Sequence, residues 1–313
     1  MTGIAVVAAG RRAILDGIVV DNPRAQTAHS TFDYLVELTR VAPERPKRCA
    51  SLIAPAQTGK TTIIDTYVKK LNAPEAIERG EIPALKVTLG ANLTRRQFAQ
   101  DILAAFESYG CNALVESGTE VQMLRRVEKY LSARKVQILF LDEFHHVVHS
   151  DNRKVVMSVS ETVKRLLIMG SCPIVVAGLE DARKPFDSNP QLAHRTEAHI
   201  DLHKLDAAVS ADRDLFWTFL SEYLLKAESL GAANNLLDLV RGDTPACILE
   251  VSQGVLGAAC NLIKDVVHAA CLRGSMNVKR VDLETATDNS IRKKLYTRNP
   301  FREGLGPLRR NAE

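Results

Sequence analysis

The side chains most able to do chemistry close the stretch Ala54-Pro-Ala-Gln-Thr-Gly-Lys-Thr61. It fits the phosphate-loop pattern G-x-x-x-x-G-K-[ST] everywhere except at the first position, where Ala54 replaces glycine. In such a loop the backbone N–H groups, here of Ala56, Gln57, Thr58, Gly59, Lys60, Thr61 and Thr62, cradle phosphate oxygens at a helix N-terminus. Lys60 reaches the β- and γ-phosphates of a nucleoside triphosphate, and the Thr61 hydroxyl ligates Mg²⁺. A side chain at the strand exit takes no part in that cradle, so Ala54 is tolerable where loss of Gly59 or Lys60 is not. The second half of the constellation lies about 80 residues on, in Ile138-Leu-Phe-Leu-Asp-Glu143. An apolar strand ending in carboxylates places Asp142 at the sheet edge from which the phosphate loop emerges, where it can hold Mg²⁺ opposite Thr61. Glu143, next in the chain, is the candidate general base that polarises the attacking water. Together these residues predict ATP and Mg²⁺ as the ligands and hydrolysis of ATP as the reaction.

His145, His146 and His149 follow as H-H-x-x-H. His145 and His149 stand four apart, a spacing that suits a metal on a helix. The zinc-protease pattern requires Glu after the first histidine, however, and His146 stands there. A structural or nucleotide-sensing role for His146 fits better. Arg183 and Arg195 are candidates for a finger that reaches the γ-phosphate held by a neighbouring subunit and stabilises transition-state charge. Arg195, in Asn189-Pro-Gln-Leu-Ala-His-Arg195, is the one assigned. Arg95, Arg96, Arg125, Arg126 and Lys129 could meet nucleic-acid phosphate, or simply face solvent.

These residues need strands and helices to hold them. Strands are expected at Ser51–Ala54, Ala84–Leu89, Val136–Leu141 and Pro173–Ala177. Helices are expected at Ser30–Thr39, Thr62–Leu71, from Thr94 to Phe106, from Glu120 to Leu131, and at about 154–169. Thr94-Arg-Arg-Gln97 and Ser117-Gly-Thr-Glu120 have the form of capping boxes, and Ser150-Asp-Asn-Arg153 reads as a turn and helix start. Asp21-Asn22-Pro23 reads as a turn, and Ala42–Arg48 as a loop leading into the first strand. Strands alternating with helices predict an α/β fold, a doubly wound parallel sheet. The strand at Ala84–Leu89 points to the class in which an additional strand separates the two motifs. After about residue 205 the pattern is helical only. The expected organisation is a lead-in over 1–48, an α/β core over 49–205, a helical lid over 206–290 and a basic tail over 291–313. The tail carries Arg292, Lys293, Lys294, Arg298, Arg302, Arg309 and Arg310 with Asn299-Pro-Phe301, and reads as extended.

Composition agrees with a globular chain: 313 residues, 46% hydrophobic, 25% charged, with a net charge of +4 that permits nucleic acid without demanding it. Six cysteines without a C-x-x-C favour free thiols in a reducing compartment. With no 18-residue apolar run and no secretory leader pattern, the expectation is a cytoplasmic protein without a membrane partner.

Ala54–Thr61, Leu141-Asp-Glu-Phe-His145, Pro173-Ile-Val-Val-Ala-Gly178 and Pro190-Gln-Leu-Ala-His-Arg195 together resemble the TniB/TnsC group of AAA+ ATPases, regulators of certain DNA transposons. The resemblance spans roughly residues 20–290. Leu179 stands where such proteins carry a polar sensor residue, and Gly254–Asn261 lacks the arginine that many use as a second sensor. The resemblance implies a protein that binds ATP, assembles on double-stranded DNA as a homo-oligomeric ring or filament, and recruits a transposase and a target-selection protein. Slow or partner-stimulated hydrolysis then disassembles it. It also implies DNA contacts at Arg95, Arg96 and Thr119. The competing reading is a helicase loader or replication initiator of the same superclass, and a third is a metabolic P-loop enzyme such as a kinase.

Overall fold

The computed structural model describes residues 2–91, 94–147, 153–170, 172–292 and 296–306. His149, Lys293, Lys294, Arg309 and Arg310 lie outside the described residues, as does most of the expected turn at 150–153. The chain forms two compact units, one of Pro23–Ala56 with Lys60–Leu202, the other of Met1–Asn22, Gln57–Gly59 and His203–Glu313.

The first unit is built on five parallel strands: β1 (Cys49–Ile53), β2 (Ala84–Thr88), β3 (Ile138–Asp142), β4 (Ile174–Gly178) and β5 (Thr196–His199). β1, β3 and β4 are buried at every position, which is why they read as continuous apolar runs without alternation. Alternate side chains nevertheless serve two cores. Leu85, Val87, Leu139, Leu141, Ile174 and Val176 face a core with Phe98, Ile102, Met123, Val127 and Val163, from the helices Arg95–Glu107, Glu120–Ala133 and Arg153–Met169. Leu52, Ile138, Phe140 and Val175 face another with Phe32, Leu35, Ile64 and Tyr67, from the helices Pro23–Val41 and Lys60–Leu71. There Phe32 meets Phe140 and Tyr67 edge-on, with centroids 5.0 and 5.1 Å apart. Such pairs each add about 0.5–1.5 kcal/mol beyond the area they bury.

The sheet order is β2-β3-β4-β1-β5. The strand lying between the phosphate-loop strand and the carboxylate strand is therefore β4. β2, which falls between the two motifs in the chain, stands at the outer edge of the sheet. β5 escapes sequence reading because Thr196-Glu-Ala-His199 is a half-exposed edge strand with little apolar signal.

Several local expectations need correction. The helix expected at Ser30–Thr39 begins at Pro23 and runs to Val41, since proline is at ease in a first helical turn. The capping box before Glu120 uses Thr119 and Gln122, two residues later than the expected Ser117 and Glu120. Thr94 caps its helix as expected by accepting from Gln97 N, but the Gln97 amide donates to Asp101 rather than completing a box.

The second unit is helical, with long helices at Thr2–Asp16, Ser210–Ser229, Leu256–Leu272 and Arg280–Arg292 around one apolar core. The helix Thr2–Asp16 contributes Ala8 and Leu15 to that core. The segment expected to be extended contains a helical turn at Pro300–Glu303, with Phe301 buried. Asn299 anchors it by donating to Glu284 O and Asp288 Oδ1 while accepting from Phe301 N. Among the described residues, no single helix is long and apolar enough to cross a membrane.

Candidate nucleotide site

The turn after β1 has two left-handed positions, Gln57 at φ +62° and Gly59 at φ +93°. Gly59 answers the need for a residue without a Cβ penalty. Ala54 is not a positive-φ position, and its N–H donates to Gly178 O. The missing first glycine therefore carries no backbone cost. Lys60 opens the following helix and is buried, its Nζ donating to Ala54 O and Pro55 O at 2.7 Å each. Burial pushes its pKa below the ordinary lysine value, and the Glu143 and Asp142 carboxylates pull it partly back. A partly desolvated ammonium gains most from an anion placed against it.

Thr61 Oγ1 donates to Asp142 Oδ2 at 3.0 Å, so the phosphate-loop helix and the end of β3 meet across the intervening β4. Asp142 is buried but satisfied: Glu143 N donates to Oδ1 at 2.9 Å, and Lys86 Nζ lies 3.7 Å from Oδ2. Lys86, on β2, escaped sequence reading, and its alternation with buried Leu85 and Val87 is the signal that was there. A hydroxyl and a carboxylate are hard oxygen donors of the kind Mg²⁺ prefers. With the Lys60 ammonium beside them, the donor set fits a magnesium-bound triphosphate.

Glu143 takes φ +58°, an uncommon backbone for a side chain of that kind. The kink feeds the 3-10 turn Phe144–Val147, where His145 Nδ1 lies 3.3 Å from Glu143 Oε2. A Cβ on Gly178 would stand 3.1 Å from His145 N and 2.9 Å from the Ala182 Cβ, so the glycine ending β4 is what lets this turn settle there. Leu179, after it, starts the 3-10 turn Glu180–Arg183, in which Arg183 pairs with Glu180 at 2.7 Å.

Arg195 immediately precedes β5, at the edge of the sheet opposite Lys60 and Asp142. Strands of this length separate the two edges by roughly 15 Å, at about 3.3 Å per residue. It lines a cleft with Tyr34, Arg45, Lys47, Arg48 and His194. Its Nε is buried and has no hydrogen-bond partner among the described residues.

Arg95 donates to Thr162 Oγ1 and pairs with Glu120, both at 3.2 Å. Arg96 donates to Glu116 O and Gly118 O, and Arg126 braces the same loop through Ala113 O and Ser117 O. Thr119 is the cap residue of the next helix. Arg125 and Lys129 are exposed. In the helical unit, with which Gln57–Gly59 groups, Gly257 N donates to Gln57 O at 3.0 Å and Asn261 Nδ2 to Gln57 Oε1 at 3.3 Å. In the sequence this stretch stands out only for its missing arginine.

A parallel sheet in the order β2-β3-β4-β1-β5, with a phosphate loop after β1 and an acidic pair closing β3, defines an AAA+ P-loop ATPase fold. Within that class the chain belongs to the TniB family: the family of the bacterial TniB protein matches residues 4–204. Among solved structures, the Aeropyrum pernix ORC2 protein in its ADP form is similar at a TM-score of 0.64 and 15% identity, over 88% of this chain and 72% of that one. The Aeropyrum pernix ORC1 protein in complex with DNA gives 0.60 and 16%, over 90% and 70%. Cdc6p from Pyrobaculum aerophilum gives 0.60 and 13%, over 88% and 70%. At such identities the likeness is one of fold. No curated protein matches the chain.

Proposed function

We propose that the chain is an ATP-switched, oligomeric regulator of DNA transposition, which assembles on duplex DNA with ATP, recruits the transposase and is released by hydrolysis. The observation that carries the ATPase part is the meeting of Thr61 and Asp142 beside a buried Lys60. Membership of the TniB family supports the setting in transposition. Lys60 and the loop N–H groups of Ala56–Thr62 bind and orient the phosphates. Thr61 and Asp142 would hold Mg²⁺, which supplies neutralisation of charge on the β- and γ-oxygens. Glu143 takes the proton of the attacking water. Arg195, at the far edge of its own sheet, serves the site of an adjoining copy. Arg95, Arg96 and Thr119 contact the DNA backbone, and the α/β core over 49–205 acts with a helical lid over 206–290. Location in the cytoplasm follows from the same reading.

The test is association of the pure protein with duplex DNA in ATP, in ADP and without nucleotide, over a series of salt concentrations. Binding should be strong only with ATP and should fall steeply with salt, because phosphate contacts release counterions. Equal binding in all three states overturns the switch. Co-purification of a replicative helicase without a transposase favours the initiator reading instead.

A further inference from the structure

Glu143, His145 and His146 offer three ligand atoms that all lie within 4.8 Å of one another. On a regular helix, residues two apart point to different sides. Here the left-handed Glu143 and the 3-10 turn that follows turn all three side chains together. The two imidazole centroids are 4.4 Å apart. The separation of Glu143 Oε2 from His145 Nδ1, 3.3 Å, is already that of two ligands on one tetrahedral zinc. Bonds of about 2.0–2.1 Å set that edge at about 3.3 Å. His145 is buried, whereas Glu143 and His146 are half-buried, so the group has a fixed wall and an open side.

We propose that Glu143, His145 and His146 form a binding site for a borderline d-block cation, Zn²⁺ foremost. It has two nitrogen ligands, one oxygen ligand and an open position for water or a phosphate oxygen. Its residues differ from the Thr61 and Asp142 pair assigned to Mg²⁺, and its nitrogen donors select against that harder ion. Resting on the reading of Glu143 as general base, the site is inhibitory: a cation bound to that carboxylate withholds it from water and stalls turnover with ATP bound. Scarce or abundant zinc would then set how long the ATP-bound assembly persists.

The test uses the full chain stripped of transition metal, with Zn²⁺ affinity read by competition with a chromophoric chelator and geometry read from the visible absorption of bound Co²⁺. One equivalent should bind with a tetrahedral cobalt spectrum. His146→Ala and His145→Asn should each weaken binding by more than the about 10–100-fold that loss of a mere supporting residue costs. Circular dichroism melts of both variants show that the fold is kept. Zn²⁺ added in excess Mg²⁺ should slow hydrolysis by the wild type, and His146→Ala should need at least tenfold more for the same slowing. Absence of stoichiometric binding, or wild-type affinity in both folded variants, overturns the site. Stoichiometric binding that leaves turnover untouched upholds the site and overturns Glu143 as the base.

Discussion

On the proposed reading Glu143 acts on water and Lys60 on phosphate, so the two are separable at the residue scale. Glu143→Gln should keep ATP bound, as judged by a fluorescent analogue, while turnover falls by about 10²–10⁴, the usual worth of a positioned general base. Lys60→Ala should abolish the ATP-induced rise in melting temperature. Because burial lowers the pKa of Lys60, its proton is lost at lower pH than from an exposed lysine. The protonated form binds the anion, so ATP affinity should fall as pH rises through that lowered value. Lys60→Arg, charged throughout, should flatten the dependence, and calorimetric titrations between pH 7 and 10 decide it. Arg195→Ala should leave binding intact and reduce assembly-dependent turnover by about 10³–10⁵. An equal loss for protein held monomeric would remove it from a role between subunits.

Two local contacts matter at the scale of elements. Thr119 satisfies the first turn of its helix, and its loss should cost about 1 kcal/mol of stability, whereas Thr119→Ser keeps the cap. If both variants bind DNA equally well per folded molecule, Thr119 is a cap and not a contact. Gly257 is the other. A Cβ there would stand 2.3 Å from Gln57 O, which is backbone and cannot swing aside. Gly257→Ala should therefore displace the Gln57 turn and weaken nucleotide binding, with little change at Ser252 or other positions of the same unit substituted as controls.

For the whole molecule, the segment 296–306 is a structural member of the helical unit. Phe301 is buried in its core, and Phe301→Ala should cost about 3–5 kcal/mol. With two units, denaturant unfolding should then split, the helical transition moving to lower denaturant while the sheet transition stays. A single unchanged transition would show that Phe301 contributes little. Hydrogen bonds from Asn299 and Arg302 hold the Asp288 carboxyl below its ordinary value of 3.8. That contribution is present above 3.8 and fades as pH falls through the lowered value, so it matters only in strong acid.

By itself the sequence determined the fold class and marked the residues on which the proposed chemistry rests. Gly59, Lys60, Thr61, Asp142 and Glu143 are local signals, each flanked by an apolar strand or a helix start that the eye can read. Buried strands and amphipathic helices are likewise written in short stretches of chain. What only the tertiary structure decided depends on partners far away in sequence. It placed β4 rather than β2 between the two motifs, and revealed β5, whose hydrogen bonds to β1 replace an apolar signal. It folded Phe301 into a core, set Gln57 against Gly257, and gave Arg96 hydrogen bonds to the carbonyls of a neighbouring loop. It also turned Glu143 toward His145 and His146 through a left-handed residue that no spacing rule announces. The residue types were sufficient to propose the reaction, because phosphate and magnesium demand few donors at fixed local spacing. Which groups meet was decided by the sheet, because strand order is set by long-range packing.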